Sequence, residues 1–179
     1  MKKIIFALLI ISVLGSCATS KKAAVAQAAY TVVPDKDAKV LKGYINRKVL
    51  ENDSAFLWFA KNLKNGTPNA EAVQAFKTNA ANFKMIVFGG TWCEDTQNLL
   101  PTFYQLVDKS GYPQTSITLV AVDRPKTAPD DLHKTYNVTN VPTFIVMKDG
   151  KEVGRVVEYG KSGKIDKELG EIVATAFAK

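Results

Sequence analysis

The chain has 179 residues, 46% of them hydrophobic and 23% charged, with a net charge of +7. Those proportions suit a globular protein with one hydrophobic core and exclude wholesale disorder. Two cysteines, Cys17 and Cys93, and one histidine, His133, exclude a disulfide-stapled scaffold, cysteine-rich zinc sites and most histidine-based metal centres.

Lys2 and Lys3 precede an apolar run from Ile4 to Leu14, interrupted only by Ser12. The run is too short for a membrane-spanning helix and has the length of a secretory signal core. It ends Leu14-Gly15-Ser16-Cys17, which resembles the lipobox of bacterial lipoproteins. That resemblance implies a signal peptide over residues 1–16 and a lipid on Cys17 that holds the protein at a membrane. The expected location is the cell envelope, on the periplasmic face of a Gram-negative membrane. An exported chain rarely meets nucleic acid, so the basic balance reads as a lysine-rich exterior near anionic lipid. Residues 17–36 are rich in alanine and small polar side chains, the composition of a tether.

Residues 37–66 form an extension before the main domain at 67–179. Within it, residues 39–50 alternate loosely and are ambiguous. Asn52-Asp53-Ser54 offers helix caps before Phe56, Leu57, Phe59, Ala60 and Leu63 at helical spacing, and Asn65-Gly66 closes that helix. Trp58 beside this stripe reads as core or rim. Thr67-Pro68-Asn69 starts a second helix, with Val73, Phe76, Ala80 and Phe83 on one face. Met85 to Phe88 is a continuous apolar run, as in a strand buried on both faces. Gly89-Gly90 breaks it, and Thr91-Trp92-Cys93 leads into a long helix that closes near Gly111. A strand at Ile117–Val122, a short helix at 128–136 and a strand at Phe144–Met147 follow. Asp149-Gly150 then turns into a strand at Glu152–Tyr159, and a last helix runs from Ser162 to Phe177. The expected fold is α/β, a mixed central sheet flanked by helices.

A thiol just past a buried strand, at the first turn of a helix, is placed for reactivity. The helix end offers unpaired N–H donors and a positive dipole that suit a thiolate, while Glu94 and Asp95 oppose it. A buried inert cysteine is the alternative reading.

Trp92-Cys93-Glu94-Asp95-Thr96 resembles the W-C-x-x-C motif of the thioredoxin family, with threonine in place of the second cysteine. Pro101 resembles the proline inside that family's active-site helix, and Val141-Pro142-Thr143-Phe144 resembles its cis-proline loop. The resemblance covers roughly residues 70–178. It implies a thioredoxin-like fold with Cys93 as nucleophile, Trp92 and Thr96 beside it, and a client groove at Val141, Pro142 and Thr143. The Val141 backbone is expected to face the sulfur. Two departures matter: Thr96 cannot resolve a mixed disulfide, and Val87 stands where many thioredoxins bury an aspartate. The expected activity is therefore monothiol thiol–disulfide exchange, with exported client proteins and an external thiol reductant as partners and without cofactor or metal. The alternative is a non-catalytic module that uses the groove to bind a protein or peptide. A hydroxyl at position 96 is expected either to hydrogen-bond the Cys93 sulfur or to cap the helix. Gly90 stands where peroxiredoxins carry the threonine of T-x-x-C, which argues against a peroxidase. His133 and the lysines at 148, 151, 161, 164 and 167 read as solvated surface.

Overall fold

The computed structural model describes residues 28–178, so Cys17 and the expected signal peptide lie outside the described residues. In chain order the elements are β1 (Ala29–Val33), β2 (Val40–Ile45), α1 (Arg47–Asn52), α2 (Leu57–Asn62) and α3 (Ala70–Asn79). They continue as β3 (Lys84–Gly89), α4 (Glu94–Ser110), β4 (Ile117–Ala121), α5 (Leu132–Thr135), β5 (Thr143–Lys148), β6 (Lys151–Val157) and α6 (Ile165–Ala176). The strands form one sheet in the order β1-β2-β4-β3-β5-β6. Only β3 and β4 run parallel, and every other neighbouring pair is antiparallel.

Side-chain alternation along the strands divides the core into two layers. Leu41, Ile45, Met85, Val87, Leu119, Phe144 and Val146 point to one face, where they pack with Phe59, Phe76, Leu100, Phe103, Leu106 and Leu169 from the helices. Phe88, Val120, Val122, Ile145 and Met147 point to the other face. There the cover is thin: Leu132 of α5, Tyr136 and the loops that carry Trp92, Cys93 and Val141. The reactive loop therefore lies against the lightly covered face.

Local chemistry accounts for the element ends. Asn69 caps α3 by accepting the Ala72 N–H at 2.9 Å. Gly111 takes the left-handed conformation (φ 69°) that ends α4. Pro101 sits inside α4 and removes the N–H that would pair with the Gln97 carbonyl. The Asn62 side chain of α2 supplies the replacement, donating to Gln97 O at 3.0 Å.

Two expectations need correction. The segment read as a tether, residues 17–36, contains strand β1, which pairs with β2 at the sheet edge. Residues 39–50 resolve into a strand and then a helix, so the extension at 37–66 opens with strand β2 inside the sheet before its helices begin. It is not an appendage, because Leu41, Leu50, Phe56 and Phe59 are each at most 2% exposed in the shared core. No described helix is long and apolar enough to cross a membrane.

Candidate active site

Strand β3 delivers the chain through Gly89-Gly90 to Thr91-Trp92-Cys93, and α4 begins at the next residue. The Cys93 N–H donates to Gly90 O at 2.9 Å, and Cys93 O accepts the Gln97 N–H at 3.0 Å. This places the half-buried thiol at the N-cap of a 17-residue helix. The Val141–Pro142 bond is cis. Cys93 Sγ donates to the Val141 carbonyl at 3.3 Å, so two loops 48 residues apart in sequence meet at the sulfur. That hydrogen bond exists only for the protonated thiol. Ionisation frees the carbonyl to accept from another donor.

The geometry corrects the expected role of Thr96 at the sulfur. Thr96 is 2% exposed, and its Oγ1 accepts the Gly90 N–H at 3.2 Å. Its methyl lies 2.9 Å from where a Cβ on Gly89 would sit. The side chain thus fills the space under the Gly89-Gly90 break and satisfies a buried donor there. Among the described residues it forms no hydrogen bond with Cys93. Val87, in the place of the expected family acid, is fully buried between Leu119 and Phe144 in the sheet.

Trp92 is half-buried, and its Nε1 donates to Val122 O at 3.0 Å. Its ring packs so closely on Gly90 that a Cβ there would stand 2.8 Å from ring atoms. The Val141 carbonyl meets the thiol from the facing loop, and Val141 and Pro142 are both buried. Thr143, expected to face a client, is buried and donates its hydroxyl to Asn140 O at 2.7 Å. It braces the loop from within. The Glu158 N–H adds a second brace, donating to Pro142 O at 2.7 Å.

The sequence pointed to none of the contacts that the N-terminal hairpin makes with this site. Thr91 Oγ1 donates to Lys39 O at 2.8 Å and accepts the Leu41 N–H at 3.1 Å, stitching β2 to the reactive loop. Gln97 Nε2 holds the same loop through Thr91 O at 3.0 Å. Arg124 lies over the Trp92 ring, 5.3 Å from its centroid. Its guanidinium forks onto both Asp35 oxygens. That Arg124 bond, and then the Asp37 N–H, hold the Asp35 carboxyl well below the usual carboxylate range. Lys42 pairs with Asp123 at 2.9 Å. Partial burial alone would raise the Asp123 carboxyl, but hydrogen bonds from Thr127 and Lys42 outweigh it, and the net shift is downward.

His133 is not simply solvated, since its Nδ1 accepts the Ala128 N–H at 3.1 Å and shapes the loop before α5. Among the described residues, no group of three His, Cys, Asp or Glu side chains is placed to hold a metal ion.

A mixed sheet, a thiol at the start of a long helix and a facing cis-proline loop define an α/β fold built around a single thiol. The thioredoxin family model matches residues 68–171, more than half the chain, and the chain belongs to the thioredoxin family. It is 27% identical over 90 residues to thioredoxin H2 of Arabidopsis thaliana, covering 50% of this chain and 62% of that one. It is 32% identical over 89 residues to a thioredoxin H-type of Picea mariana, covering 50% and 66%. A TPR repeat-containing thioredoxin of Arabidopsis thaliana is 27% identical over 105 residues, 59% of this chain and 26% of that one. The chain thus spans between a quarter and two thirds of the length of these relatives. Among solved structures, a protein of unknown function from Pseudomonas aeruginosa shares the fold. It has a TM-score of 0.55 and 18% identity, and the match covers 74% of this chain and 93% of that one. Family membership is consistent with thiol–disulfide redox function.

Proposed function

We propose that this protein is a lipid-anchored thioredoxin of the cell envelope that performs monothiol thiol–disulfide exchange on exported proteins through Cys93. The observation that carries this reading is the half-buried thiol at the start of α4, 3.3 Å from the Val141 carbonyl. A client strand laid along the Val141–Pro142 loop would bring its disulfide to that sulfur. The Cys93 thiolate attacks one client sulfur and forms a mixed disulfide, and the other client sulfur leaves as a thiolate. Thr96 has no thiol with which to resolve the adduct. An external thiol attacks Cys93 Sγ and displaces the reduced client. A second equivalent frees Cys93, and the external pair leaves oxidised. The lipid anchor rests on the Leu14-Gly15-Ser16-Cys17 sequence, and the periplasmic face of a Gram-negative membrane is part of the same proposal.

Oxidised cell envelopes test the reading. Wild-type protein should accumulate mixed disulfides with envelope proteins, and Cys93→Ser should accumulate none. Thr96→Cys should lower the trapped fraction by providing an internal exit, with Val87 limiting the gain in turnover. In the same cells Cys17→Ser should leave the membrane fraction. Trapping by wild type no greater than the Cys93→Ser background would end the exchange reading in favour of a groove that only binds. Membrane retention of a processed Cys17→Ser protein would end the lipid anchor.

A further inference from the structure

The Trp92 ring is held on three sides. Its edge is fixed by the Nε1 hydrogen bond to Val122 O. One face rests on Gly90, where no Cβ would fit, and the Arg124 guanidinium lies over the ring. Arg124 does not hold that place alone. Asp35, 89 residues earlier, takes both ends of its fork. The Asp35 carboxylate is itself fixed, accepting the Asp37 and Ala38 N–H groups at 3.0 Å each. The turn between β1 and β2 is therefore preformed around the carboxylate that orients the guanidinium.

We infer that the Asp35–Arg124 pair is a positioning device that holds Trp92 as the wall of the client groove beside Cys93. The pair comes from the N-terminal hairpin and the loop after β4. The hairpin precedes the part of the chain that matches the family. With its charge met by Asp35, Arg124 offers Trp92 a flat stacking plane in place of an unpaired charge that would attract a small anionic disulfide. The wall is therefore aromatic and rigid. It suits an extended polypeptide disulfide better than a small disulfide such as oxidised glutathione. This inference deepens the exchange reading and rests on it for the nature of the client.

The test compares wild type with Arg124→Lys, Arg124→Gln, Asp35→Asn and the Arg124→Gln/Asp35→Asn pair. One probe is an unstructured peptide carrying thionitrobenzoate as a mixed disulfide, since attack by Cys93 forms the peptide adduct and releases coloured thionitrobenzoate. The other probe is iodoacetamide, which reads the thiol without needing the groove. Each single variant should lose about threefold in the peptide rate, the scale of one exposed guanidinium–ring contact. The iodoacetamide rate should hold. The double variant should be no worse than either single, because both remove one device. Arg124→Lys should not rescue, since an ammonium cannot fork or stack as a guanidinium does. A variant that merely loosened the fold would change both rates together. Acrylamide quenching of Trp92 in a Trp58→Phe background supplies an independent readout and should rise in every variant.

A peptide-to-iodoacetamide ratio that stays constant across the variants overturns the device, as does Arg124→Lys behaving like wild type. If wild type fails to react with the peptide at all, the exchange reading falls. Quenching then decides the device: a rise in the variants upholds it, and no change removes it.

Discussion

Replacing Thr96 with valine keeps the side-chain shape and deletes one hydrogen-bond acceptor. The acceptor serves the Gly90 N–H, which is buried. Leaving that donor unmet costs about 1–3 kcal/mol. Thr96→Val should therefore lower stability by that amount in a denaturant titration, while the alkylation rate of Cys93 stays at the wild-type value. A large change in alkylation with unchanged stability would return the hydroxyl to the sulfur and contradict the geometry. The same residues show which parts of the site could be read from the sequence. Cys93, Trp92 and Pro142 stand in short local patterns, and local pattern is what a sequence displays. Thr91, Asp35 and Arg124 act through contacts that cross 52 and 89 residues, and nothing local marks them. Asn62 left one indirect trace, because a proline inside a helix frees a carbonyl that some donor must meet.

Strand β2 tolerates only glycine at position 43. Its φ is 132°, and a Cβ there would lie 2.4 Å from Ala29 O and 2.7 Å from Tyr30 Cα. The close approach lets β1 pair in its observed register, with Tyr30 opposite Gly43. Gly43→Ala should cost about 2–3 kcal/mol through backbone strain and clash. It should also speed amide exchange across residues 29–33 while β3 and β5 stay protected. Uniform protection would show that the hairpin does not depend on the glycine. The inner strands β3, β4 and β5 were legible because burial on both faces writes itself as a continuous apolar run. Strands β1 and β2 were not. Most of β1 is exposed at the sheet edge, and β2 carries a lysine and a glycine between its buried residues, so neither displays a run or a clean alternation. Helices α3 and α4 followed their caps at Asn69 and Gly111 to within a few residues, whereas α1 lies in the stretch whose pattern is ambiguous.

The matched region begins at residue 68, but the folded unit begins earlier. Leu41, Leu50, Phe56 and Phe59 lie in the same core as Phe103, Tyr104 and Leu106 of α4. Phe59 meets Tyr104 edge to face at 5.5 Å, and Arg47 stacks over both rings. Polar contacts follow the same seam, since Asn62 meets the carbonyl freed by Pro101 and Gln105 donates to Leu63 O at 3.0 Å. Burying one large apolar side chain contributes about 1.5–3 kcal/mol, so these four amount to roughly 6–12 kcal/mol. A whole domain is stable by only about 5–15 kcal/mol. A fragment of residues 67–179 would expose the α4 face that packs on Phe59 and lose the Thr91 bonds to Lys39 and Leu41. It should show no cooperative thermal transition by circular dichroism, whereas residues 28–179 should melt in a single step. A sharp transition in the shorter fragment would mean that the α4 face closes by itself and that residues 28–66 only decorate a complete domain. If the shorter fragment is unfolded and the longer one folds, the hairpin and its helices belong to the minimal unit that presents Cys93.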